Sequence, residues 1–189
     1  AFAAALGLSV QASAATLNID CDAGNKIASV YATVKPGDTV LVTGTCKEQV
    51  SIPPEITRVT FDGQKKATTQ HPGGEQASPH AFYNRGKEIV IKGFTVTGGQ
   101  DGIRLSGPAS AVIDGNVVTK NSGRGIHIDQ ASIALILNTS FAHSGGTGID
   151  VTCASYADIG VFLPRVTALG RTVVPASAGT AGHSEALVG

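Results

Sequence analysis

Asp101-Gly102-Ile103-Arg104-Leu105, Arg124-Gly125-Ile126-His127-Ile128 and Thr147-Gly148-Ile149-Asp150-Val151 are three versions of one segment, set 23 residues apart. Working outward, the flanking positions keep the same register. Leu105, Ile128 and Val151 fall in one column, Ile113 and Ile136 in a second, Val118 and Phe141 in a third, Ala111, Ala134 and Ala157 in a fourth. The preceding stretch Ile89-Val90-Ile91-Lys92-Gly93-Phe94-Thr95-Val96 fits the pattern with one residue fewer. A fixed period in the twenties marks a solenoid rather than a globular sandwich. Within each repeat the hydrophobic period is two, as in Ile126-His127-Ile128, so the units are short strands with alternating faces. Clusters such as Lys120-Asn121-Ser122-Gly123 separate them as tight bends. A leucine-rich repeat of this length needs a leucine ladder and usually a helix per repeat, and neither is present. Stacked coils about 4.8 Å apart, hydrogen-bonded along the axis, satisfy the pattern.

Composition agrees with one secreted all-β domain. The chain has 189 residues, 42% hydrophobic and 15% charged, with 24 glycines and a formal net charge of zero. It is too apolar for disorder, lacks a run long enough to span a membrane, and has no global field that favours nucleic acid. Residues 1–15 read as the remainder of an export signal. Phe2 to Val10 is apolar and Ala12-Ser13-Ala14 fits a small-x-small cleavage site, the alternative being an ordinary N-terminal segment. Export places the chain in a secreted or periplasmic, oxidising setting. There Cys21 and Cys46 could close a loop of roughly two dozen residues, and Cys153 is left as a buried apolar thiol. No cysteine or histidine spacing matches a zinc site.

At this point the chain resembles the right-handed parallel β-helix proteins of the pectate-lyase-like superfamily, closest to secreted bacterial members. The residues that carry the likeness are Ile91-Lys92-Gly93-Phe94-Thr95-Val96-Thr97-Gly98-Gly99 with Asp101-Gly102-Ile103, then Ala111-Val112-Ile113-Asp114-Gly115-Asn116 with Gly125-Ile126. Lys35-Pro36-Gly37-Asp38-Thr39-Val40-Leu41-Val42 looks like the family's lead into its first coil. The resemblance implies a single-stranded right-handed parallel β-helix of five to six coils over residues 16–160. It also implies an amphipathic capping helix, for which Ile27, Val30, Tyr31 and Val34 supply the spacing and Pro36-Gly37 the stop. The polar excursion between Phe61 and Phe82, from Asp62 through Glu75, reads as a long loop from the second coil, either a binding loop or a solvated insertion. Beyond Ile159 the pattern fails, with Pro164 where Val118 and Phe141 stood. Residues 161–189 are expected to be an irregular tail: a cap, a disordered end, or an altered reading frame.

Chemistry, if present, lies on the outer wall. Alternation stacks Arg104, His127 and Asp150 in one column, and Ser106, Asp129 and Thr152 in another. Arg104, His127, Asp129 and Asp150 are the candidate catalytic residues, because proton abstraction beside a uronate carboxylate needs a base and a cation. The same column also reads as a cross-strand charge ladder that any solenoid needs to cover its outside. Asp101, Arg124 and Thr147 form a weaker column beside the turn. Asn116 is expected to be an inward hydrogen-bonded turn residue, and His71 and His80 are loop residues without metal spacing. The resemblance points to polysaccharide as partner under two readings. The first is a non-catalytic glycan binder; the second is a lyase or glycosidase on acidic glycans, with calcium as its cofactor if a lyase. Three Tyr, six Phe and no Trp leave little for stacking on sugar rings, which favours the first. Spacing identifies no required cofactor, no resident metal and no oligomeric state.

Overall fold

A computed structural model describes residues 13–77, 79–142, 145–160 and 172–175. The chain winds as a parallel β-solenoid of about six coils. Its longer wall is an 11-stranded sheet, whose main path runs from Thr16–Asp20 through Thr39–Thr43, Thr60–Gln70, Ile89–Thr97, Ser110–Asp114 and Ile133–Leu137 to Tyr156–Gly160 and Thr172–Pro175. A five-stranded wall stacks Val50–Ile52, His80–Asn84, Asp101–Leu105, Ile126–Ile128 and Ile149–Val151. Every pairing is parallel except the last, where Thr172–Pro175 runs antiparallel to Tyr156–Gly160.

The repeat columns are the interior. Ile103, Ile126 and Ile149 pair in register and are 0%, 0% and 5% exposed, a continuous pile. Ile91, Ile113 and Ile136 do the same across the longer wall, as do Ala111, Ala134 and Ala157. Each coil bends once inside that wall, at Gly93, Gly115 and Asn138, all with left-handed φ (68°, 61° and 47°). Glycine and asparagine tolerate that region at least cost, so the strand bends at Gly93 without a break, and is interrupted at Gly115 and Asn138. Asn116 behaves as the sequence suggested. It is buried, its Oδ1 accepts from the Phe94 amide at 2.9 Å, and its Nδ2 donates to the Ile91 carbonyl at 2.9 Å. A serine ladder ties another bend: Ala109 N donates to Ser132 Oγ, and Ser132 N to Ser155 Oγ.

Three expectations need correction. No α-helix caps the barrel among the described residues; the segment is one 3-10 turn, Ile27–Val30. Ile27 and Val30 are buried and Tyr31 and Val34 pack on the core, so the plug exists without the helix. Its start is fixed by Glu48, whose carboxylate accepts from the Ile27 amide at 2.6 Å, and so short a segment gains little from helix propagation. The polar stretch after Phe61 is not a projecting loop for most of its length. Thr60–Gln70 is one strand with a register shift between Asp62 and Ala67, where a bulge absorbs the polar residues. Cys153 is exposed, because it sits in a left-handed turn (φ 52°) instead of in the wall. Inside the 161–189 stretch, Thr172–Pro175 is a strand. The rest of that stretch, with Pro164, and residues 1–12 of the expected leader lie outside the described residues.

Cys21 and Cys46 form a disulfide that joins the first two coils. Glu48 lies beside it, but sulfurs bonded to each other cannot serve as thiolate ligands, so this group is a staple. Among the described residues no helix is long and apolar enough to cross a membrane.

Candidate functional site

Pairing in the five-stranded wall places Tyr83, Arg104, His127 and Asp150 one above another. It also sets His80 directly beneath Asp101. Gly102 and Gly125 let the coils stack closely behind this corner; a Cβ on Gly102 would run into the buried Val118 side chain and stand 2.7 Å from the Gly125 carbonyl. The polar side chains of four successive coils therefore converge.

Asp101 is the hub and is wholly buried. Its Oδ2 is 3.2 Å from His80 Nδ1 and 3.3 Å from His127 Nδ1, while Oδ1 accepts from Arg124 Nη1 at 3.3 Å. The His80 approach is an ion-pair contact without hydrogen-bond alignment. Burial works to raise the pKa of this carboxyl. The contacts of His127 and His80 with the carboxylate, and the Arg124 charge beside it, outweigh burial and hold Asp101 well below the usual carboxylate range.

Arg104 fixes the tautomer of His80. Arg104 Nη1 lies 3.2 Å from His80 Nε2 and can only donate, so that nitrogen accepts and the His80 proton sits on Nδ1, facing Asp101. Arg104 Nη2 also binds Asp129 Oδ2, and Arg124 Nε binds Asp150 Oδ2 at 2.7 Å. His127 Nδ1 lies 3.3 Å from both Asp101 Oδ2 and Arg124 Nη1, so it donates to the carboxylate in one tautomer and accepts from the guanidinium in the other. Its Nε2 faces Thr152 Oγ1 at 3.3 Å, with Asp129 and Asp150 Oδ2 each 3.9 Å away. Asp129 Oδ1 and Arg104 Nε are buried with no partner among the described residues.

The structure thus brings Arg104, His127, Asp129 and Asp150 into one cluster, as their columns suggested. It differs in three respects. His127 and Asp150 are only 6% and 7% exposed, because neighbouring charged side chains cover them. The column set aside as weaker supplies the hub, Asp101, and a key cation, Arg124. His80, read as a loop residue, is a strand residue in the network. Its signal was the match of Ala81-Phe82 with Gly102-Ile103, hidden by the polar stretch before it. Exposure is left to the cations: the Arg104 and Arg124 side chains are 25% and 36% accessible, against 1% for Asp101 and under a tenth for the others.

A second polar feature follows the bends of the longer wall. A groove of about 450 Å³ is lined by Asp62, Gln64, Lys65, Lys92, Asp114 and Asn138. Its charges are largely paired within the wall: Lys92 lies 3.2 Å from Asp62, and Asn138 Nδ2 donates to Asp114 at 2.9 Å.

A search of curated proteins and a search of solved structures each returned no match. The family model for the right-handed β-helix region matches residues 53–159, which include the whole cluster. With more than half of the sequence matched and the coils stacked as that family requires, this chain belongs to the right-handed β-helix family.

Proposed function

We propose that the chain is an exported β-helix protein that binds acidic polysaccharide on the outer face of its five-stranded wall. The observation that carries this reading is the sorting of charge by depth. Asp101, Asp129, Asp150 and both histidines are covered, and the two guanidiniums are what solvent meets. A planar, weakly hydrated fork suits the carboxylate of a uronic acid. The Cys21–Cys46 bridge and the leader-like first residues support export.

Cleavage of the glycan backbone with calcium is the weaker reading. The nearest carboxylates, Asp129 and Asp150, are already bound by Arg104 and Arg124, and a cation would have to displace a guanidinium to use them. The test is titration of polygalacturonate against its fully methyl-esterified form by calorimetry. Binding should favour the free acid and weaken steeply with added salt. Replacing both Arg104 and Arg124 by lysine should cost about tenfold or more in affinity, because charge remains and the fork is lost. Equal affinity for the esterified polymer would overturn the proposal. Unsaturated products that appear only with calcium would restore the lyase reading.

A further inference from the structure

One arrangement in the cluster is not needed for binding an anion. Asp101 Oδ2, His127 Nδ1, His127 Nε2 and Thr152 Oγ1 form a chain in which each link is 3.3 Å. The carboxylate is buried and ionised, His127 Nδ1 lies between it and Arg124 Nη1, and in the tautomer that donates to Asp101 the free Nε2 faces a half-buried hydroxyl. Nucleophile, base and orienting acid in this order are what acyl transfer requires, whatever the fold. The backbone supports Thr152 independently of the network, since its amide donates to the Ile128 carbonyl at 2.9 Å.

We propose that Asp101, His127 and Thr152 form a relay that hydrolyses carboxylic esters through an acyl-threonine. Thr152 Oγ1 attacks the ester carbonyl carbon as its proton passes to His127 Nε2. The carbon–oxygen bond to the alcohol then breaks, and His127 returns the proton to the departing alkoxide. Water attacks the acyl-threonine, gives a proton to Nε2, and the acid leaves as Thr152 recovers its hydrogen. The sum is ester plus water to acid plus alcohol. Negative charge on the carbonyl oxygen needs donors. The amides of Cys153 and Ala154, exposed in the left-handed turn (φ 52° and 59°) that follows Thr152, donate to no backbone carbonyl among the described residues. Asp129 and Asp150 stand close to Nε2, but each is neutralised by its arginine. The relay does not depend on the ligand being a glycan; if the binding reading holds, acyl substituents on an acidic sugar are the substrate class.

The experiment uses the full chain with p-nitrophenyl acetate and, separately, a fluorophosphonate probe. Turnover above buffer is expected, with a covalent probe adduct on the peptide that contains Thr152. Thr152→Ala should lose about a hundredfold or more in turnover and all of the adduct, while Thr152→Ser keeps both. Thr152 is half-buried at a strand end, so both variants should melt close to the parent, and a melting curve checks this. No turnover and no adduct in the parent protein would overturn the proposal. So would a Thr152→Ala variant that hydrolyses at the parent rate, since His127 would then act on water alone. Polygalacturonate titration of Thr152→Ala separates the two ideas: binding should persist whether or not ester hydrolysis is found.

Discussion

Burial and charge pull Asp101 in opposite directions, and its partners win. Its folded-state pKa lies below the unfolded value, so the stability it contributes is fully present above about pH 4. That contribution is lost as pH falls from there toward the lowered folded value. Asp101→Asn should therefore melt lower than the parent at neutral pH, by an amount equivalent to about 3 kcal/mol, because two histidines and an arginine lose their shared anion. It should also show a flatter acid limb when melting temperature is followed from pH 5 to pH 2. Tyr31 gives the opposite case. Its hydroxyl is enclosed with no partner among the described residues, and burial first, then the Glu48 charge, push its pKa up. Tyr31→Phe should raise the unfolding free energy read from urea titration by about 1 kcal/mol, since an unsatisfied polar atom leaves the core. At this scale the sequence made Arg104, His127, Asp129 and Asp150 visible because their coils share one length. His80 stayed hidden because its coil is shorter: Tyr83 pairs with Arg104 across 21 positions, so the next residue down falls out of phase.

The bends and strands follow local chemistry closely enough to be tested one at a time. Asn116→Ala leaves the Phe94 amide and Ile91 carbonyl without their buried partner and should cost about 2 kcal/mol, read by chemical denaturation. Gly125→Ala should destabilise more, because its Cβ would stand 2.6 Å from both the Gly148 carbonyl and the Phe141 ring. Period-two alternation was enough to find the strands around Ile103, Ile126 and Ile149. The same logic missed Thr60–Gln70, since the bulge after Asp62 places Gln64, Lys65 and Lys66 side by side, as a loop would. The capping helix was read from Ile27, Val30 and Val34, a spacing that a 3-10 turn followed by a bend also satisfies. Cys153 misled for a related reason. A cysteine beside Val151 looks like a wall residue until the chain turns left-handed.

For the molecule as a whole, each coil rests mainly on its neighbours, so the ends are the weak points. The Cys21–Cys46 bridge, across a sequence separation of 25, staples one of them. Reduction with dithiothreitol should lower stability by about 3 kcal/mol in the chain-entropy account, seen as a drop in melting temperature that the Cys21→Ser, Cys46→Ser double variant reproduces. A repeat is recognised only when there are copies on both sides of it. That is why the middle coils were legible and the first and last were not. The cluster draws His80, Asp101 with Arg104, Arg124 with His127 and Asp129, and Asp150 with Thr152 from four consecutive layers. Evolution could thus lengthen this molecule by duplicating whole layers outside that block and leave the chemistry untouched. Within the block the turns already absorb a coil two residues shorter, but a residue gained or lost inside a strand would slip His80, Arg104, His127 or Asp150 to the other face, so the site sets the shortest tower that can still carry it.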